Sequence, residues 1–163
     1  MLTGFMGTGK SIVGRILARR LGYDFVDTDA LIVQQNDRSI ADIFAQDGED
    51  TFRQLEATVA YELGNKKNMV IATGGRLMLD ETNATELSRN GRIFCLTASP
   101  ETIYNRVKHD RKRPLLNVPD PQAKIEQLLQ ERAVGYGRFP QIDTENKTAR
   151  MVAEEILKWL STM

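Results

Sequence analysis

The chain has 163 residues, with 22 basic and 22 acidic side chains, a formal net charge of zero and one cysteine. That length holds one well-packed core and is short for two. The balanced charge, with no long run of one sign, argues against a nucleic-acid or membrane surface, and a lone thiol excludes a disulfide framework within the chain. Neither a signal-peptide pattern nor a run of about eighteen apolar residues occurs, so the expectation is a cytoplasmic monomer whose partners are small molecules.

In chain order, Met1-Leu2-Thr3 is the stub of a first strand, and Gly4-Phe5-Met6-Gly7-Thr8-Gly9-Lys10-Ser11 completes a G-x-x-x-x-G-K-[ST] phosphate loop. Glycines in such a loop let successive backbone N–H groups surround a triphosphate, while the lysine reaches its outer phosphates and the serine hydroxyl ligates Mg²⁺. Gly7, Thr8, Gly9, Lys10, Ser11 and Ile12 are therefore candidate nucleotide contacts. Val13, Ile16, Leu17 and Leu21 recur at helical spacing behind them, so a helix N-terminus faces the same anion.

Tyr23 to Asp27 reads as a short strand, ending in Asp27-Thr28-Asp29. Acids at a strand's C-terminal end face the ligand crevice of an open α/β sheet, and alternation along an extended segment sends Asp27 and Asp29 to one side. An N-capping role is the alternative for this pair, because a helix follows. Helical patterns cover about 29 to 36, about 39 to 47 with Ser39 as N-cap, and about 50 to 64 with Gly64 at the end. Met69 to Ala72 is a buried strand closing on the turn Thr73-Gly74-Gly75.

A polar helix at about 80 to 90 precedes strand Arg92 to Leu96, where Cys95 reads as a buried thiol. Ser99-Pro100 opens the next helix with a cap and a first-turn proline. His109 to Pro121 carries three prolines and four basic residues and reads as a mobile surface segment. A helix from about Pro121 to Tyr136, a strand at Gln141 to Asp143 and an amphipathic helix with Val152, Ile156, Trp159 and Leu160 on its packing face complete the chain. The alternation of strand and helix implies a parallel sheet covered on both faces.

A phosphate loop alone leaves open a switch, a motor or a small-molecule kinase. Base-reading N-K-x-D is missing, since Asn65-Lys66-Lys67-Asn68 lacks the aspartate, and no D-x-x-G occurs. A motor would need a longer chain and a strand ending in paired acids. What remains is phosphoryl transfer to a small hydroxylated anion, which calls for a metal, several cations and one carboxylate beside the acceptor hydroxyl. Of Asp27 and Asp29, one can hold the metal's water shell while the other meets the acceptor.

Over nearly its whole length the chain resembles the shikimate kinase family. The phosphate loop Gly4 to Ser11, Asp27-Thr28-Asp29, Ser39-Ile40-Ala41-Asp42-Ile43-Phe44, Phe52-Arg53-Gln54-Leu55-Glu56, Thr73-Gly74-Gly75, Arg113-Pro114-Leu115-Leu116 and the Glu131, Arg132, Tyr136 spacing match its motifs in order. The resemblance implies a three-layer, nucleoside-monophosphate-kinase-like α/β fold: a parallel five-stranded sheet in the order 2-3-1-4-5, flanked by helices. It further implies one domain over residues 1–163, an acceptor-binding helical region at about 29–62 and a mobile lid at about 109–121.

The activity so implied is transfer of the ATP γ-phosphate to the 3-hydroxyl of shikimate, with Mg²⁺. Arg53 and Arg132 would fork the acceptor's carboxylate, Gly74 and Gly75 would approach it closely, and Asp29 would accept its hydroxyl proton. Glu56, one turn after Arg53, would hold that guanidinium. Lys10 and the lid residue Arg113 would act on the transferred group, Ser11 would bind the metal directly and Asp27 through a water. Arg106 would stack on adenine and Lys147 would contact the nucleotide. Phe44 and Phe52 would wall the acceptor pocket or serve the core. The alternatives are another small-molecule kinase, such as a gluconate or nucleoside monophosphate kinase, and a non-catalytic relative. Departures from the family pattern fall at Ile12, at Ala149 and at Arg76, which stands where a third turn glycine is usual. Arg76 either strains the turn or adds a cation beside the bound acid, and activity is expected to survive it.

Overall fold

A computed structural model describes residues 1–110 and 114–162. Its strands are β1 (Leu2–Gly4), β2 (Asp24–Asp27), β3 (Met69–Ala72), β4 (Phe94–Thr97) and β5 (Gln141–Asp143). They form one five-stranded sheet in the order β2-β3-β1-β4-β5, and every pairing is parallel. The central strand β1 is short, with Leu2 opposite both Ala72 and Phe94.

Helices cover both faces because side chains alternate along each strand. Val70, Phe94 and Leu96 point to one face, where they meet Val13 and Leu17 of α1 (Lys10–Leu21) and Val152 and Ile156 of α7 (Ala149–Ser161). Ile71 points to the other face, toward Ile43, Val59 and Leu63 of α3 (Ile40–Gly64) and Leu87 of α4 (Glu81–Ser88). Cys95 shares that second face with Ile103 of α5 (Pro100–Val107) and Ile125 of α6 (Pro121–Gly137). Each fully buried aliphatic side chain contributes about 1.5–3 kcal/mol.

The N-termini of the helices separate the phosphate loop from everything else. α2 (Thr28–Asn36) is capped by the Asp27 side chain, and α3, α4, α5, α6 and α7 by Ser39, Asp80, Ser99, Asp120 and Thr148. Among the described residues α1 alone lacks a side-chain cap; its N-cap is Gly9, at φ 94°. Its first-turn N–H groups are thus presented to whatever lies beyond the loop.

The two helices read at about 39–47 and 50–64 are both present within Ile40–Gly64, divided by Gly48, whose φ of 84° and ψ of 173° are not helical. The second strand starts at Asp24, one residue after Tyr23, and the fourth occupies Phe94–Thr97 rather than beginning at Arg92. Trp159 is 43% exposed, so the packing face of α7 consists, without it, of Val152, Ala153 and Ile156 with the partly buried Leu160.

Candidate active site

The loop between β1 and α1 is shaped by its own backbone. Gly7 and Gly9 adopt φ of 76° and 94°, which a side chain would resist. Thr8 is buried and its hydroxyl donates to the Phe5 carbonyl at 2.8 Å, pinning the turn from inside. Lys10 folds back along the loop, with Nζ donating to the Gly4 and Phe5 carbonyls at 2.8 and 2.9 Å. The adjoining cleft of about 660 Å³ is lined by residues from Gly7 to Ile12, by Asp27 and Asp29, and by Gly74 and Gly75. Arg106 and Lys147 line it as well.

Asp27 performs both roles that its sequence context allows. Oδ1 accepts from the N–H groups of Asp29 and Ala30 at 3.1 and 3.3 Å, capping α2, while Oδ2 accepts from the Ser11 hydroxyl at 2.7 Å. The cap ends the strand at Asp27, so Asp29 sits in the first turn of α2 and not in an extended segment. Both carboxylates still line the same cleft, by a helical turn and not by strand alternation.

Gly74 is held where Asp29 needs it. Its N–H donates to the buried Thr28 hydroxyl at 2.8 Å, and a Cβ built on it would lie 2.4 Å from Asp29 Oδ1 and 3.3 Å from Glu56 Oε1. Neither Gly74 nor Gly75 has a positive φ, so room, not backbone freedom, is what glycine supplies at Gly74. Gly75 lies against the Arg132 guanidinium, and its carbonyl accepts from the Tyr136 hydroxyl. Arg132 is buried, with its guanidinium 5.2 Å from the Phe5 ring centroid.

Arg53 is gripped from several directions. Nη1 donates to Glu56, which is 2% exposed, and Nε and Nη2 donate to Glu49 Oε1 at 3.2 and 3.0 Å. The Phe44 and Phe52 rings lie 4.8 Å apart, with the same guanidinium 5.9 and 5.2 Å from their centroids. Phe52 belongs to the core, while Phe44 is partly exposed. Arg76 has φ −110° and ψ −14°, an ordinary helical conformation, so no strain follows from the missing third glycine. Its Nη1 donates to the same Glu49 oxygen at 2.9 Å.

The predicted acceptor groups are thus gathered around the glycine turn but face two cavities. Asp29, Gly74 and Gly75 line the cleft beside the phosphate loop. Arg53, Glu56 and Arg76 line a second cleft, of about 560 Å³. Arg132 lines neither, and reaches the site through Gly75. Arg106 donates to the Gly7 carbonyl at 3.2 Å and to Thr144 Oγ1 and O at 2.9 Å each, which fixes its guanidinium beside the loop. Lys147 pairs with Glu155 at 2.8 Å. Arg113 lies outside the described residues, and the lid segment is described only on either side of 111–113, with a single turn at Pro114–Leu116.

Sequence reasoning missed Glu49, Thr28 and Thr144 as shaping residues. Glu49 stands four residues before Arg53, a spacing that could have marked it; the two threonines carry no such signal. Burial pushes the Glu56 carboxyl above its ordinary value against the opposing pull of Arg53, and pushes up the Tyr136 hydroxyl, which stays protonated to donate to Gly75. The Cys95 thiol is raised to about 11 by burial, as befits an inert core side chain.

The sequence profile of the family described as Shikimate kinase matches residues 6–161. A shikimate kinase from Thermodesulfovibrio yellowstonii is 44% identical over 97% of this chain and 92% of its own length. One from Caldanaerobacter subterraneus is 44% identical over 97% and 93%. The structure of a shikimate kinase from Acinetobacter baumannii in complex with shikimate superposes with a TM-score of 0.93 at 36% identity, covering 99% of this chain and 91% of that one. The chain belongs to the shikimate kinase family.

Proposed function

We propose that Lys10, Asp29 and Arg113 carry the chemistry of an ATP-dependent kinase that converts shikimate to shikimate 3-phosphate, with ADP as second product. Family membership supports the activity, and one observation supports the residue assignment above the rest. Asp29 is wedged against Gly74 in the cleft that opens onto the uncapped N-terminus of α1.

In this reading the first-turn N–H groups of α1 and the Lys10 ammonium hold the outer phosphates of ATP, within the loop from Gly7 to Ile12. Arg106 and Lys147 flank the rest of the nucleotide. Arg53 and Arg132 take the carboxylate of shikimate, the first held by Glu56 and the second propped on Phe5. Gly74 and Gly75 let the ring approach, and Asp29 accepts the proton of the 3-hydroxyl as its oxygen forms a bond to the γ-phosphorus and the bond to the bridging oxygen of ADP breaks. Arg113, on the lid at about 109–121, adds positive charge to the group in flight and excludes water. These groups span a single domain, residues 1–163, with its acceptor-binding region at about 29–62.

The Ser11 hydroxyl and Asp27 carboxylate fit Mg²⁺: they are hard oxygen donors 2.7 Å apart beside a helix N-terminus, and this ion takes one or two protein ligands with water and phosphate supplying the rest. Ser11 would bind it directly and Asp27 through a water. When bound it neutralises charge on the β- and γ-phosphates. No helix among the described residues is long and apolar enough to cross a membrane, and the charges balance. We take the protein as a cytoplasmic monomer without nucleic-acid or membrane partners. A non-catalytic reading rests on the short first strand, which spans only Leu2–Gly4, and on Arg76 as a damaged turn; the negative φ at Arg76 removes the second of these.

The test is a coupled ADP-release assay with shikimate, gluconate and a nucleoside monophosphate offered separately. Turnover with shikimate alone is expected. Comparable kcat/KM with either of the other two would contradict the assignment.

A further inference from the structure

The edge of Arg53 that suits a carboxylate is already occupied. A guanidinium pairs with a carboxylate through two parallel N–H groups, and here Nε and Nη2 both donate to Glu49 Oε1 while Nη1 is committed to Glu56. Glu56 is buried and fixed by its surroundings. Glu49 is different, with its side chain 51% exposed and held, among the described residues, only by the two arginines, Arg53 and Arg76. An acid approaching Arg53 along that edge must displace Glu49, and two carboxylates on one guanidinium repel a third.

Arg76 supplies the way out. Its side chain is 52% exposed, it belongs to the turn that carries Gly74 and Gly75, and its Nη1 already donates to the Glu49 oxygen that Arg53 holds. We propose that Glu49 stands in for the acceptor's carboxylate on Arg53, and that Arg76 is a positioning residue that draws Glu49 aside when the acid binds. With Arg76 present, Glu49 exchanges one cation for another as it leaves; without it, Glu49 either stays on Arg53 or goes unpaired. The inference rests on the reading that Arg53 receives the acceptor's carboxylate. It makes Arg76 a functional replacement for the space a glycine would leave, specific to an anionic acceptor.

The experiment is a double-mutant cycle on Arg76→Ala and Glu49→Gln, with shikimate KM and kcat measured at low and high salt and melting temperature recorded for each variant. Exposed ion pairs are weak, so Arg76→Ala is expected to raise the shikimate KM about two- to fivefold at low salt, more than it lowers kcat. Arg76→Lys should recover most of that loss. In the Glu49→Gln background, Arg76→Ala should change KM less than about twofold, and high salt should shrink the effect in the parent background. An unchanged KM in Arg76→Ala, or an equal rise with Glu49→Gln present, would overturn the proposal while leaving the kinase reading intact. A parent enzyme that turned over no shikimate would overturn both.

Discussion

The two halves of the site are built in different ways. The nucleotide half is built around one continuous stretch, Gly4 to Ile12, whose donors are mostly backbone N–H groups ordered by glycine φ angles and the bare start of α1, with Arg106 and Lys147 beside it. The acceptor half is assembled from segments around residues 28–29, 49–56, 74–76 and 132–136, and each of its groups, whether the Arg53 side chain or the backbone of the glycine turn, is held by a side chain from elsewhere in the sequence or fold. A backbone cradle tolerates side-chain change, which is why Ile12 can stand on its rim. A site of propped side chains depends on each prop: Thr28 under Gly74, Glu56 under Arg53, Tyr136 under Gly75.

The comparison breaks most sharply at Gly74. A methyl group there would meet Asp29 Oδ1 at 2.4 Å, far inside contact distance. Overpacking of this kind costs about 1–3 kcal/mol, so Gly74→Ala should lower kcat/KM for shikimate by roughly ten- to a hundredfold. Nucleotide affinity, measured by titration of the same variant, should hold within about twofold if the halves are separate. An equal loss in both would show them to be one unit.

A smaller effect sharpens the comparison through pH. Burial raises the Glu56 carboxyl above its ordinary 4.5, so protonation sets in at a higher pH than for an exposed glutamate and Arg53 loses its anchor early. Shikimate KM should therefore rise as pH falls through that raised value, and Glu56→Gln should flatten this limb. Stability runs the other way. A raised carboxyl in the folded state favours the protonated form, so its contribution is full below 4.5 and is lost as pH rises through the folded value. Denaturant unfolding at several pH values should show the parent losing ground to Glu56→Gln as pH increases across that window. A constant difference would mean that Glu56 is not perturbed.

Most of the fold was readable from periodicity and caps. Ser39 and Ser99 cap the helices they were expected to cap, and the alternation of elements yields the parallel sheet, while its order was implied by the family resemblance alone. The phosphate loop was readable because its chemistry is local. The Arg53–Glu56 pair was readable because three-residue spacing on a helix dictates a contact. Asp27 and Asp29 show where sequence stops: strand and cap propensities coincide at Asp27, and the cap decided in favour of the helix. Glu49 looked like any solvated helix carboxylate, since only the tertiary fold brings Arg76 to it. Trp159, placed in the core by type and spacing, is left half in solvent at the end of α7.

The central claim is that Asp29 acts on the acceptor while the loop and Lys10 act on the nucleotide, and one substitution addresses it. Asp29→Asn keeps the shape of the side chain and removes its basicity. The account predicts that shikimate-dependent ADP release falls by about 10²–10⁴ while the ATP Kd, measured on the same preparation, stays within about twofold of the parent. Turnover within tenfold of the parent, or a loss of ATP binding that matches the loss of turnover, would contradict it.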